Sequence, residues 1–229
     1  MIPLWDNIPR SHWPLITLSL ITANGFIFFQ ELVADPAQRE QIIAAYALIP
    51  ARSTSFFAAA EGSASGAILP LFTSMFLHGG WMHLIGNMWF LWIFGDNVED
   101  RIGHLRFLLL YLAGGLAGAL AHLLFNLTSE VPTVGASGAI AAVMGAYLIT
   151  FPRARILTLV PIIIFLTTIE IPAYLILLYW LLLQFLNGVA AVADPMQGGV
   201  AWFAHVGGFL AGVPLMLLMR SGRRARARS

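Results

Sequence analysis

Six apolar stretches, nearly free of charge and all but the fourth of them long, leave this chain few ways to fold. A stretch of about 20 mainly apolar residues is long enough to cross a bilayer. The stretches run from about Trp13 to Leu32, Trp81 to Asn97, Phe107 to Phe125, Ser137 to Phe151, Ala173 to Val192 and Trp202 to Met219. Charged residues make up 10% of the chain and hydrophobic ones 59%. Soluble domains run about 25% charged and about 45–50% apolar, so a water-soluble globule is a poor reading and intrinsic disorder is excluded. The first stretch follows Arg10 and is too long, and too poorly followed by a small-residue cleavage site, to be a signal peptide. The predicted fold is therefore an all-α membrane protein of six spans, forming one domain over residues 1–229. Its core covers about 12–219 and its basic tail 220–229.

The arginines orient these spans. All 12 basic residues are arginine. With the N-terminus inside, Arg10, Arg101, Arg106, Arg153, Arg155 and the five arginines of the tail fall on the cytoplasmic side. Only Arg39 and Arg52, in the long loop from Val33 to Leu77, fall outside. That is the positive-inside distribution, with both termini cytoplasmic in a cell membrane. The tail reads as an orientation signal beside anionic lipid, and nucleic acid is not an expected partner. Residues Ile156–Ile171 are apolar but short, β-branched and interrupted by Pro161, and are read as an interfacial strand pair or a partial re-entrant piece. A seventh span there would spoil the arginine count. Ile42, Ile43, Tyr46, Ala47, Phe56, Phe57, Ile68 and Leu71 make the first outer loop apolar enough to lie as amphipathic pieces, partly inserted, at the outer interface.

Polar residues in spans need partners, because burying them unpaired costs free energy. Gly135-Ala136-Ser137-Gly138 opens the fourth span. Taken alone, Ser137, Ala141 and Gly145 are a small-residue packing row. The functional reading, the lesser one for this motif alone, makes Ser137 a hydroxyl left accessible by its small neighbours, at a helix start with free N–H groups. In Ala204-His205-Val206-Gly207-Gly208, the histidine shares a face with Gly208, which forms a GxxxG row with Gly212. That face is expected to meet the small residues of the fourth span. His83 and Asn87, four apart, share a face of the second span; His78, five before His83, is expected to point elsewhere and to stabilise a loop. Asp96, Glu99, Asp100 and Arg101 are read as structural.

Depth links three of these groups. Ser137–Phe151 is about 20–22 Å long as a helix, against a hydrocarbon core of about 30 Å. With Arg153 and Arg155 holding its inner end, Ser137 lies below the outer surface and the loop Asn126–Val134 must dip to reach it. His205, His83 and Asn87 enter from the same side. A serine needs a base and an acyl-transfer intermediate needs oxyanion donors. Ser137, His205 and the pair His83/Asn87 fit those roles. Between Gly135 and Met219 the only acids are Glu170, on the inner side, and Asp194, in an outer loop. A Ser–His dyad is therefore expected, its histidine oriented by packing. The chain has no cysteine and no H-E-x-x-H run, so neither a thiol nucleophile nor a metal site is expected, and no cofactor is implied.

These motifs resemble the rhomboid family of intramembrane serine proteases, of the compact six-helix bacterial type. The resemblance is carried by Ala47-Leu48-Ile49-Pro50-Ala51-Arg52, by His78-Gly79-Gly80-Trp81-Met82-His83 with Asn87, by Gly95-Asp96-Asn97-Val98-Glu99-Asp100, and by the Ser137 and His205 motifs. It implies Ser137 as nucleophile, His205 as general base, and an oxyanion hole of His83, Asn87 and the Ser137 N–H. It also implies cleavage of single-span transmembrane substrates near their outer ends, admitted between the first-loop pieces and the fifth span. Some members carry an aromatic residue four positions after the serine, stacked on the histidine; here that position is Ala141. Two other classes fit less well. A catalytically silent relative would generally lack the serine or the histidine, and a channel would carry charge along its whole path.

Overall fold

The computed structural model describes residues 1–162, 165–193 and 200–226. Strand β1 (Ile2–Asp6) precedes helix α1 (Leu15–Val33). The first loop folds into four short helices, α2 (Pro36–Tyr46), α3 (Pro50–Ala59), α4 (Ala64–Ile68) and α5 (Pro70–Thr73), and a 3₁₀ turn at Ser74–Phe76. Then come α6 (Trp81–Ile102), α7 (His104–Phe125) and α8 (Ser137–Thr150), strands β2 (Arg155–Ile162) and β3 (Phe165–Pro172), and helices α9 (Ala173–Ala193) and α10 (Trp202–Arg226).

Among the described residues, four helices are long and apolar enough to cross a membrane: α1, α7, α9 and the first 19 residues of α10. Helix α6 qualifies only together with the helical stretch Ala64–Phe76, from which it is bent by 78°. Helix α8 is a shorter apolar helix. The chain is a multi-pass membrane protein. Its spans differ from the expected ranges mainly at their ends, where α6 runs to Ile102 and α10 to Arg226.

Helix α8 sits at the centre. Every residue from Gly138 to Tyr147 is buried, as expected of a helix with no polar face. Helices α7 and α10 reach it through glycine. A Cβ on Gly208 would collide with the Gly138 carbonyl, one on Gly212 with the Ala142 carbonyl, and one on Gly145 with the Phe209 carbonyl. On α7, a Cβ at Gly114 would collide with the Cβ of Ala142, and one at Gly118 would lie 2.7 Å from the Ala204 carbonyl oxygen of α10. The glycines of α10 thus meet α8, as their spacing predicts, although the contacts fall on Gly138 and Ala142 rather than on Ala141.

The all-α expectation needs one correction, a three-stranded antiparallel sheet in the order β1-β2-β3. The expected strand pair at 156–171 is β2 with β3, in register from Arg155↔Pro172 onward. The unexpected member is β1, which adds to the free edge of β2 with Ile2 opposite Leu159. The sheet ties the N-terminus to the end at which α8 finishes. There, buried Glu99 accepts from the backbone N–H groups of Ile16 and Thr17, both at 2.8 Å, and from the Thr17 hydroxyl at 2.7 Å. That carboxylate caps the start of α1, whose own flanking residue Pro14 has no side-chain cap to offer. Asp100 does the same for the N–H groups of Ser11 and His12. The acidic residues read as structural are therefore bonded into the fold.

Candidate active site

Ser137 is the first residue of α8, so its amide has no partner within the helix. The chain reaches it through Gly135, whose φ of +125° lies where side chains are rarely tolerated. Space forbids a side chain there too, since a Cβ would lie 2.6 Å from Nε2 of His83. The loop from Asn126 is tied through its backbone to the first loop. Leu48 and Thr133 exchange N–H···O bonds of 3.0 and 2.8 Å, Ala51 N–H donates to Ser129 O, and Gly135 N–H donates to Ser74 O. Irregular backbone among apolar helices survives because these partners replace water.

His205 lies in the first turn of α10. Its Nε2 is 2.7 Å from the Ser137 Oγ, joining residues 68 positions apart. On the other side of the ring, Nδ1 is 2.7 Å from Oε1 of Gln184 on α9. With Nδ1 donating to the glutamine oxygen, Nε2 is the unprotonated nitrogen and accepts from the serine hydroxyl. His205 is 8% exposed, and its ring is flanked by two indoles, Trp180 at 5.7 Å and Trp202 at 6.2 Å between centroids. Ala141 contributes no ring here, and the rings beside His205 come from α9 and α10 instead.

His83 and Asn87 both stand beside Gly135, with the Asn87 Nδ2 slightly farther from that position than the His83 ring. The Gly79 N–H donates to Nδ1 of His83 at 3.4 Å, which puts the His83 proton on Nε2, the nitrogen aimed at Gly135. One N–H of Asn87 donates to Nε2 of His78 at 3.0 Å. His78 therefore does not point elsewhere: its ring stacks edge-on against His83, 5.1 Å between centroids. It also secures the loop, donating its backbone N–H to buried Glu31 of α1. A small cavity beside Ser137 has a polar wall formed by Ser74, Thr133 and His122 of α7, which is hydrogen-bonded to Thr133 at 3.0 Å.

Gln184, Trp180, His122 and Glu31 escaped the sequence reading. A glutamine in a run of leucines is a detectable signal, since an intramembrane amide needs a partner, but the signal does not say which partner. Asp194, expected in an outer loop, lies outside the described residues. Glu170 is on β3, exposed, with its carboxylate 3.8 Å from Arg155. Among the described residues no cluster of ligating side chains could hold a metal ion. The arrangement can activate a hydroxyl, with a neutral imidazole as proton acceptor and N–H donors converging nearby.

Residues 65–222 match the family model for the Rhomboid domain. The chain is 45% identical over 94 residues to rhomboid protease GluP of Bacillus subtilis, covering 40% of this chain and 18% of that protein. It is 35% identical over 158 residues to RHOMBOID-like protein 6, mitochondrial, of Arabidopsis thaliana, covering 66% of this chain and 44% of the relative. It is 34% identical over 100 residues to presenilin-associated rhomboid-like protein A, mitochondrial, of Danio rerio, covering 42% and 26%. The matches span less than half the length of these relatives.

Proposed function

The chain belongs to the rhomboid family, and from that premise we propose that it is an intramembrane serine endopeptidase working through a Ser137–His205 dyad. The observation that carries this reading is the 2.7 Å contact between Ser137 Oγ and Nε2 of His205, whose Nδ1 lies 2.7 Å from the Gln184 amide oxygen. Ser137 Oγ attacks the scissile carbonyl as its proton moves to Nε2 of His205. The oxyanion is met by the Ser137 N–H, the Nε2–H of His83 and the remaining N–H of Asn87. His205 then passes its proton to the leaving amine, and water resolves the acyl-enzyme with the histidine again acting as base. The polar wall of Ser74, His122 and Thr133 gives that water a place to wait among apolar helices.

The same reading makes α1, α6, α7, α8, α9 and α10 six spans around a buried α8, with α2 to α5 at the outer interface. Both termini are cytoplasmic and the host is a bacterial cell membrane. The sheet supports this orientation, since it joins β1 to the segment that follows Arg153 and Arg155. Substrates are single-span proteins cut near their outer ends, where Ser137 lies. Trp180 and Gln184 reach the site from α9, whose outer side offers Tyr179, Leu182 and Leu186 to lipid.

The test is cleavage of a model transmembrane substrate by purified protein in detergent. Wild type should cleave it and be labelled by a fluorophosphonate probe. Ser137→Ala and His205→Ala should fold and do neither. Undiminished proteolysis by Ser137→Ala would end the assignment.

A further inference from the structure

Gln184 is the one polar side chain in the run from Ile176 to Leu186 apart from Tyr179 and Trp180. It is buried, whereas its neighbours Leu182, Phe185 and Leu186 are half exposed. An amide in such surroundings is costly unless bonded. Its bond goes to Nδ1 of His205, the nitrogen opposite the one that meets Ser137. Trp180, four residues earlier and thus on the same face of α9, lies across the imidazole with 34° between the planes. The described titratable groups that act electrostatically on His205 are His83 of α6 and His122 of α7, neither of them a carboxylate.

From this geometry we infer that Gln184 is the positioning residue of the dyad, a neutral third member held on α9 and braced by Trp180. The inference rests on the Ser137–His205 reading above. The amide oxygen keeps the His205 proton on Nδ1, and so keeps Nε2 open to the serine. A carboxylate in the same place would answer the imidazolium with a full charge, but would have to be kept ionised away from water. The amide does the orienting and supplies only a dipole. Its loss should therefore cost less than the roughly 10⁴ in kcat that a Ser-His-Asp triad loses when its histidine is forced into the wrong tautomer.

The experiment uses the purified full chain in detergent with a model transmembrane substrate. Gln184→Met keeps the shape and removes the acceptor. It should lower kcat about tenfold to a hundredfold, as misplacement of a reacting group does, with KM within about twofold. Gln184→Glu keeps an acceptor. It should hold kcat within about tenfold of wild type and move the acid limb of the kcat/KM profile to higher pH by about one unit, because a carboxylate favours the imidazolium. A residue that only packs would move neither the tautomer nor the limb. Histidine-selective ¹⁵N NMR reads the tautomer without turnover, with the His205 signal assigned by its loss in His205→Ala. Wild type should show the Nδ1–H form and Gln184→Met a mixture. Absence of Ser137-dependent cleavage in wild type would sink the protease reading while the NMR still decides the role of Gln184. An unchanged kcat, acid limb and His205 tautomer in both Gln184 variants would overturn the inference and leave that reading intact.

Discussion

Gly208 of α10 rests on the carbonyl of Gly138 in α8 with no side chain between the two backbones. His205 lies less than a turn before Gly208, and Ser137 immediately precedes Gly138. The distance from imidazole to hydroxyl is thus set by a backbone contact, which cannot relax by a rotamer change.

Gly208→Ala should separate the two helices. Its Cβ would collide with backbone, so the cost is that of overpacking, about 1–3 kcal/mol. The larger effect should be on rate, since a misplacement of about 1 Å costs on the order of 10². Gly86→Ala is the control, because a Cβ there meets nothing within 4 Å. Circular dichroism on heating and substrate cleavage should show Gly208→Ala folded, less stable and at least about fiftyfold slower, with Gly86→Ala near wild type. Equal rates would mean that the helix contact does not govern the site.

Asn87→Ala should remove one oxyanion donor. Such losses cost about 2.7–4 kcal/mol of transition-state stabilisation, or roughly 10²–10³ in rate. Steady-state kinetics should show the loss in kcat, with KM little changed. His78→Ala should give a smaller loss of the same kind, because His78 holds the donors in place without being one: it bonds the Asn87 amide and packs against the His83 ring. A pure KM effect in Asn87→Ala would make Asn87 a substrate contact rather than an oxyanion donor.

How far the sequence could be read follows from what each residue depends on. The Ser137 and His205 motifs were legible because a serine beside glycines and a histidine beside a GxxxG row each carry their reason locally. The expectation that they share a depth follows from helix length. The partners of the imidazole were not legible: Gln184 and Trp180 lie on α9, and nothing local says which neighbour a lipid-span glutamine will meet. His78 was misplaced because a helical spacing was applied across Gly79 and Gly80, where the helix has not begun. Strand β1 was missed for a similar reason. Five residues make no sheet alone, and they are ordered by distant partners, the open edge of β2 and the side chains of Trp89, Asn97 and Tyr147.

The orientation is open to a labelling test, since the chain has no native thiol. Glu130→Cys and Thr168→Cys both fall on exposed positions, in the loop before α8 and on β3. In intact cells an impermeant maleimide should label Glu130→Cys, and Thr168→Cys only after the membrane is opened. Labelling of both from outside would place the sheet on the outer face and overturn the orientation inferred from the arginines.

The sheet should also make stability depend on pH through Asp6. Burial holds its carboxyl above the ordinary carboxylate range, against the hydrogen bonds it accepts from the Tyr147 hydroxyl, the Ile8 N–H and the Asn97 amide. Asp96 of α6 faces it as a like charge. A carboxyl raised in the folded state binds its proton more tightly there than in the unfolded chain. Its contribution is therefore fully present below the unfolded value of 3.8 and is lost as pH rises through the higher folded value. Asp6→Asn keeps an acceptor oxygen for Tyr147 but has no proton to lose. The melting temperature of wild type, measured relative to Asp6→Asn in the same detergent, should thus fall as pH is raised from about 4 to about 7. A difference that stayed flat, or rose with pH, would mean that the hydrogen bonds from Tyr147, Ile8 and Asn97 outweigh desolvation and hold Asp6 as a carboxylate. In that case the sheet would be pinned to α6 and α8 by an ionised anchor rather than by a protonated one.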